Sequence, residues 1–417
     1  MSFVKRAIDR IKQKRQDRFV RNLGWLTGSE AVNRIISLAR TVVLARFLSP
    51  DDYGLAAIVF TVYEFTLTFT RFGVSAKLIQ SNEEELDTLC NSAYWLNWAI
   101  FLGLFVIQCI ASIPVALFYK DSRLILPICI AATPLLIVPF SAIQYALIQR
   151  ENRFKVVALN NTVQSLFGTT LSTILAVLGM GLWAIVMPMV LAAPIWVFIF
   201  YIKHSWRPSK KFTTKHWGEI LGFGKNILGV QLLNTSRNYL DYLIVGRYVS
   251  IAELGIYYFA FNAGLGISLS IIKSISSALL PHLADVKPDW VKFKSNYLSS
   301  LKTIALVIIP FVFLQSSLAP LYVPIVFGKK WEVAGAVPIL ILICLSAIPR
   351  PFSEAASQLL VAFGKPNLDL RWNVIFTFAF VAALLIGVQW GALGVAMAVL
   401  LVHLICIPLF VAWATYY

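Results

Sequence analysis

Apolar positions in this chain do not alternate with polar ones. They run on unbroken, and short polar connections separate the runs. The runs lie at approximately 22–48, 54–78, 90–118, 122–148, 156–178, 181–202, 218–246, 254–281, 299–326, 334–361, 368–389 and 391–414. A helix that crosses a bilayer needs about 20 mostly apolar residues. Strands of a membrane barrel would show a period of two instead. The pattern therefore predicts an all-α polytopic membrane protein with about twelve transmembrane helices.

One short phrase occurs twice. Ala45-Arg46-Phe47-Leu48-Ser49-Pro50-Asp51-Asp52-Tyr53-Gly54-Leu55 and Gly246-Arg247-Tyr248-Val249-Ser250-Ile251-Ala252-Glu253-Leu254-Gly255-Ile256 align at a constant offset of 201. Arg, Ser and Gly are identical, and the neighbouring aromatic and aliphatic positions match in kind. Each phrase follows a long apolar run, so the repeated unit is a membrane half. Two fused halves of like topology predict two pseudo-symmetric six-helix bundles around a central cavity. The expected division is a basic amphipathic segment 1–21, an N-terminal bundle 22–202, a cytoplasmic linker 203–217 and a C-terminal bundle 218–417.

Composition agrees. Hydrophobic residues make up 59% and charged residues 13% of 417 positions, with a mean hydropathy of +0.75. That is too apolar for a soluble globular domain. The net charge of +16 would suggest nucleic acid in a soluble protein. Here it sorts to one side of a membrane, since cytoplasmic loops are enriched in Lys and Arg. Arg150, Arg153 and Lys155 mark one connection. Lys203, Arg207, Lys210, Lys211 and Lys215 mark the linker, and Lys287, Lys292 and Lys294 a third. The intervening connections are poorer in cations, which places both termini in the cytoplasm. The acidic stretch 81–89 dissents, but acids carry little topological weight. Eight Lys/Arg between Lys5 and Arg21, interleaved with Phe3, Val4, Ile8, Ile11 and Phe19, predict a helix on the cytoplasmic leaflet. The five cysteines have no paired spacing, and the four histidines suggest no metal site.

Charges inside spans are costly and usually face a partner or a water-filled cavity. Glu30, Arg34 and Arg40 lie in the first span, and Glu64 and Arg71 in the second. Arg237 and Asp241 lie in the seventh, Arg350 and Glu354 in the tenth, and Asp369 and Arg371 open the eleventh. Three pairs, Glu30/Arg34, Arg237/Asp241 and Arg350/Glu354, are four residues apart, so mutual neutralisation on one helix face is one reading. The other starts from the surplus of cations. Arg34, Arg71, Arg237 and Arg350 would line a net-positive cavity suited to a phosphate or pyrophosphate, with Glu30, Arg40, Glu64, Asp241 and Glu354 pairing or coupling. Asn234 and Tyr239 would contact sugars or serve as ordinary interhelical hydrogen-bond partners. Asp51 and Asp52 in one repeat phrase, and Arg247 in the other, would form an outer gate. The plainer role for Gly54 and Gly255 is to permit tight turns.

No P-loop, nucleophile elbow or metal-spaced cluster is present, so no enzyme activity and no cofactor are expected. The coupling ion, proton or sodium, stays open. The stretch Arg34-Ile-Ile-Ser-Leu-Ala-Arg40-Thr-Val-Val-Leu-Ala-Arg46-Phe-Leu-Ser-Pro-Asp-Asp-Tyr53-Gly54 resembles the opening of the polysaccharide transporter (Wzx-like) family of the multidrug/oligosaccharidyl-lipid/polysaccharide exporter superfamily. Asp241-Tyr-Leu-Ile-Val-Gly246-Arg247, continuing to Ala260, resembles the start of that family's second half. The resemblance implies a flippase of the bacterial inner membrane. It would move an undecaprenyl-pyrophosphate-linked oligosaccharide from the cytoplasmic to the periplasmic leaflet for O-antigen, capsule or exopolysaccharide assembly. It also implies partnership with membrane lipids and with a polysaccharide polymerase and chain-length machinery. Two alternatives remain. A multidrug or cation exporter of the same superfamily would favour a cation-attracting cavity. A membrane polymerase or glycosyltransferase would need large periplasmic loops with acidic catalytic residues.

Overall fold

The structure, a computed structural model, describes residues 28–30, 32–70, 73–209, 211–265, 290–363 and 365–416. The basic segment 1–21, Arg71, Lys210, Lys287 and the later part of the eighth apolar run lie outside the described residues. The described residues form helices and short connections, and seven helical runs are long and apolar enough to cross a membrane. The chain divides into two compact units.

Unit 1 comprises the described residues up to Phe47 together with Val59–Ser236. It contains α1 (32–47), most of α2 (Pro50–Thr70), α3 (Val74–Gln80), α4 (Leu86–Tyr119), α5 (Ile125–Ala131), α6 (Ala142–Arg150), α7 (Phe154–Val177), α8 (Trp183–Leu191), α9 (Ala193–Lys203) and the first part of α10 (Trp217–Tyr248). In α4 the polarity of a soluble helix is inverted. Ile107, Ile110 and Leu117 are exposed while Gln108 and Ser112 are buried, as expected where the solvent is lipid. Gln108 donates to the Ile128 carbonyl at 3.0 Å. The helix ends at Lys120, whose left-handed φ of 57° lets the Asp121 N–H return to the Ala116 carbonyl at 3.0 Å.

Prolines explain where apolar runs break. The run predicted over 122–148 folds as α5, a short turn from Pro134, a 3-10 turn containing Pro139, and α6. The run over 181–202 breaks at Ala192, just before Pro194. Proline lacks the donor for the helical ladder and clashes with the preceding turn.

The connection after α9 is strapped across α4 by hydrogen bonds. Asn91 donates to the Lys211 carbonyl at 2.9 Å and accepts from the Ser209 N–H at 3.0 Å. The indoles of Trp95, Trp206 and Trp217 donate to the Lys211 carbonyl, to Asp87 and to the Ser92 carbonyl. Beneath the strap, Leu89, Cys90, Ala93, Ile143 and Ile220 form a core.

Unit 2 comprises Leu48–Ile58 and Arg237–Tyr417. The first repeat phrase therefore supplies the start of α2 to the unit that otherwise holds the C-terminal half. The unit continues with the end of α10, α11 (Ile251–Ala260), α12 (Trp290–Tyr322), α13 (Lys329–Val333), α14 (Ala336–Leu345), α15 (Arg350–Ala362), α16 (Pro366–Gly387) and α17 (Gly391–Tyr416). The last two apolar runs fold back through Gly391, which has a φ of +70°. Gly387 and Gly394 pack backbone against backbone there: a β-carbon on Gly387 would lie 2.6 Å from the Gly394 carbonyl oxygen.

Candidate functional site

Unit 2 holds a cluster of charged and polar side chains within its bundle. Arg237 reaches from α10 across to α16, where its Nη1 donates to Asn373 Oδ1. The acids acting on it are Glu354 of α15 and Asp369 of α16. Asn373 in turn donates to the Asp369 carbonyl at 2.9 Å. One turn further along α10, Asp241 is buried. It accepts from the Tyr257 hydroxyl at 2.8 Å and from the Tyr242 N–H at 2.9 Å. The cation acting on it is Arg350 of α15.

The charges therefore act on one another across helices: Glu354 and Asp369 on Arg237, and Arg350 on Asp241. The expected partners, four residues along the same helix, are not the dominant ones. Tyr242 packs edge-on against Tyr257 and Tyr258, and Tyr239 tilts onto Tyr242 at 5.9 Å between centroids. His403 of α17 sits close by, its Nδ1–H on the Val399 carbonyl at 2.7 Å and its ring edge-on to Phe376 and Phe380. Both Arg350 and Arg237 act on it.

Unit 1 holds the other described candidates. Arg34 is half-buried on α1. Its Nε and Nη2 are shielded from solvent and have no hydrogen-bond partner among the described residues. Glu30 is exposed, and Arg40 and Glu64 are half-buried on α1 and α2. Near the end of α2, Thr68 shares a hydrogen bond of 2.7 Å with Thr235 of α10, while Asn234 beside it is exposed.

The repeat phrases take the same form. Ser49 caps α2, accepting from the Asp52 N–H at 3.2 Å, and Ser250 caps α11, accepting from the Glu253 N–H at 3.1 Å. Asp52 closes its box locally on the Ser49 N–H at 3.0 Å. Asp51 is half-buried beside it. Arg247 sits in the last turn of α10, its guanidinium 5.9 Å from the Tyr248 ring centroid. Gly54 and Gly255 do not serve turns. Both lie inside helices and neither has a positive φ. Lys330, in α13, donates to the Leu48 carbonyl. Burial pulls its ammonium below the ordinary lysine range, and Asp52 opposes that pull.

Sequence reasoning missed Asn373, Tyr257 and His403. Asn373 had a signal, since it stands four residues after Asp369 and so on the same helix face. Tyr257 and His403 had none, because an aromatic or a lone histidine in an apolar run reads as packing. Of the two charges opening the eleventh run, Asp369 turns inward and Arg371 is exposed.

Comparison with known proteins extends this picture. The lipopolysaccharide biosynthesis protein WzxC of Escherichia coli (strain K12) is 26% identical over 387 residues, covering 89% of this chain and 75% of WzxC. The succinoglycan biosynthesis transport protein ExoT of Rhizobium meliloti (strain 1021) is 24% identical over 382 residues, covering 90% of this chain and 76% of ExoT. Among solved structures, the lipid II flippase MurJ in an inward closed conformation superposes with a TM-score of 0.73 at 17% identity, covering 94% of this chain and 87% of MurJ. That likeness establishes the fold. Residues 43–336 match the family described as polysaccharide biosynthesis protein, and the chain belongs to that family, whose members are membrane transport proteins rather than enzymes.

Proposed function

We propose that this chain is a flippase for an undecaprenyl-pyrophosphate-linked oligosaccharide, moving it from the cytoplasmic to the periplasmic leaflet of a bacterial inner membrane by alternating access. Twelve helices in two pseudo-symmetric six-helix bundles, with both termini cytoplasmic, complete the reading. The observation that carries it is Arg34. A guanidinium with two shielded nitrogens unmatched among the described residues is costly unless an acceptor arrives, and a pyrophosphate offers paired oxygens that fit its planar fork. Family membership supports the lipid-linked saccharide, and the names of WzxC, ExoT and MurJ point the same way.

Acids of unit 2 act on Arg237 and Arg350, so their first role is to neutralise the cluster there. Deleting the gene is expected to leave lipid-linked repeat units on the cytoplasmic side, and Arg34→Ala is expected to reproduce that block at a normal protein level. Arg34→Lys restores transport in part, since an ammonium lacks the fork. Arg237→Ala strands Glu354 and Asp369 and lowers the amount of protein instead. Full transport by Arg34→Ala refutes the pyrophosphate contact. For orientation, a cysteine at Ser122 is expected to react with an impermeant thiol reagent from the periplasm, and one at Ser209 not to.

A further inference from the structure

The two copies of the repeat phrase, distant in sequence, lie against each other in unit 2. A β-carbon built on Gly54 would overlap the Ile251 carbonyl oxygen and come within 2.7 Å of that carbonyl carbon and of the Ile251 Cγ2. One built on Gly255 would overlap the Pro50 carbonyl oxygen and come within 2.7 Å of its carbon and 2.8 Å of the Gly54 nitrogen. The contact is reciprocal. Pro50 and Ile251 are equivalent positions of the repeat, as are Gly54 and Gly255, so each glycine receives the first residue of the other phrase's helix. Both neighbours are backbone, and backbone yields less readily than a side chain. Gly103, Gly168 and Gly229, by contrast, face open space.

Further contacts hold the first phrase in place. Tyr53 enters a cage of Trp331, Phe259 and Tyr258, with ring centroids 5.1, 6.1 and 6.4 Å away. Phe259 and Trp331 are stacked at 3.9 Å. The Lys330 ammonium holds the Leu48 carbonyl. Beyond Ile58, α2 leaves this unit and continues into unit 1. The phrase is thus the start of a helix belonging mainly to one unit, seated in the other.

We infer that the paired phrases are a latch: Gly54 and Gly255 admit a backbone-to-backbone closure that fastens the start of α2 to unit 2, with Tyr53 and Lys330 as its side-chain clasps, and that this closure opens and shuts during transport. The inference rests on the alternating-access part of the proposed function. It replaces the charge gate of Asp51, Asp52 and Arg247 by a steric one. A close fit without side chains suits a closure that must reform, because two bare backbones meet in one register and lose little side-chain entropy on shutting.

The test reads the latch without reading transport. Ala57 lies one turn past Gly54 on the same face and is fully buried. With the five native cysteines replaced and Ala57→Cys introduced, the purified full chain in lipid vesicles of mixed orientation is treated with a thiol-reactive maleimide. Labelling is expected to be slow in the parent and in a Gly103→Ala control. Gly54→Ala and Gly255→Ala are expected to speed it about tenfold, the change expected when local opening is eased by about 1.4 kcal/mol. Lys330→Gln adds no volume, and so carries the test if the alanine variants fail to fold. It is expected to speed labelling to a smaller extent. Labelling in the folded variants as slow as in the Gly103→Ala control overturns the latch, as does fast labelling in the parent. None of these outcomes depends on which lipid-linked sugar is moved, so a wrong substrate assignment leaves the result intact.

Discussion

The two repeat phrases share a backbone and differ in how they use side chains. Both begin with a serine cap, and both place a glycine four residues after the first helical residue. At the fourth position of the cap box they part. Asp52 turns back onto Ser49. Glu253 reaches away to α17, where its Oε2 accepts from the Ala392 N–H at 2.9 Å, directly after the Gly391 turn. One position on, Tyr53 enters an aromatic cage while Leu254 is simply buried. The repeat thus keeps the features that need a particular backbone and varies those that need a particular partner. The second phrase is part of the scaffold of unit 2. The first is a visitor held by Trp331 and Lys330.

The largest blow to this asymmetry is Trp331→Ala. The indole is fully buried, and removing such a side chain costs about 3–5 kcal/mol. The loss is expected as a lower midpoint in thermal unfolding of the detergent-solubilised chain, with faster labelling at Ala57→Cys. Unfolding at the parent's midpoint would show that the cage does not hold the first phrase.

Glu253→Ala tests the second phrase. It strands the Ala392 N–H at the start of α17, a loss of about 1–3 kcal/mol. Asp52→Ala, whose carboxylate serves an exposed cap, is expected to cost less. Equal losses in the two variants would erase the distinction between scaffold and visitor. The caps themselves should behave alike: Ser49→Ala and Ser250→Ala are each expected to cost about 1 kcal/mol.

The contrast also explains what the sequence made legible. The constant offset of 201 identified the repeat, whereas the caps made by Ser49 and Ser250 emerged only in the structure. The use of Gly54 and Gly255 could not be read, because a glycine's purpose depends on what approaches it, and the approaching Ile251 and Pro50 are remote in sequence. Arg237 and Arg350 were legible as costly buried cations. Their partners were not, since helix periodicity brings forward the neighbour four residues along and is silent about a carboxylate on another helix. The breaks near Pro134 and Pro139 were not legible in the unbroken apolar run 122–148, because a membrane helix tolerates proline when neighbours satisfy the freed carbonyls.

The smallest expected effect concerns Lys330, the clasp on the first phrase alone. Its ammonium is partly buried against the Leu48 carbonyl, and desolvation lowers its pKa despite the nearby Asp52. The sign follows from proton counting. A lysine whose folded pKa lies below its unfolded value binds fewer protons folded than unfolded between the two. Stability therefore rises with pH across that interval, and the rise ends near the unfolded value of about 10.4. Below the folded pKa both states carry the charge, so the penalty is constant there and the slope vanishes. Lys330→Met removes the titrating group. The difference in unfolding midpoint between parent and variant should therefore shift in the parent's favour as pH climbs through the alkaline range, and stay flat near neutrality. Since the group is only partly buried, solvent screening keeps the effect small. A difference that moves in the variant's favour with rising pH would mean that the ammonium is held by Asp52 more strongly than burial opposes it, and Lys330 would then fasten the first phrase as an ion pair instead of as a donor to its backbone.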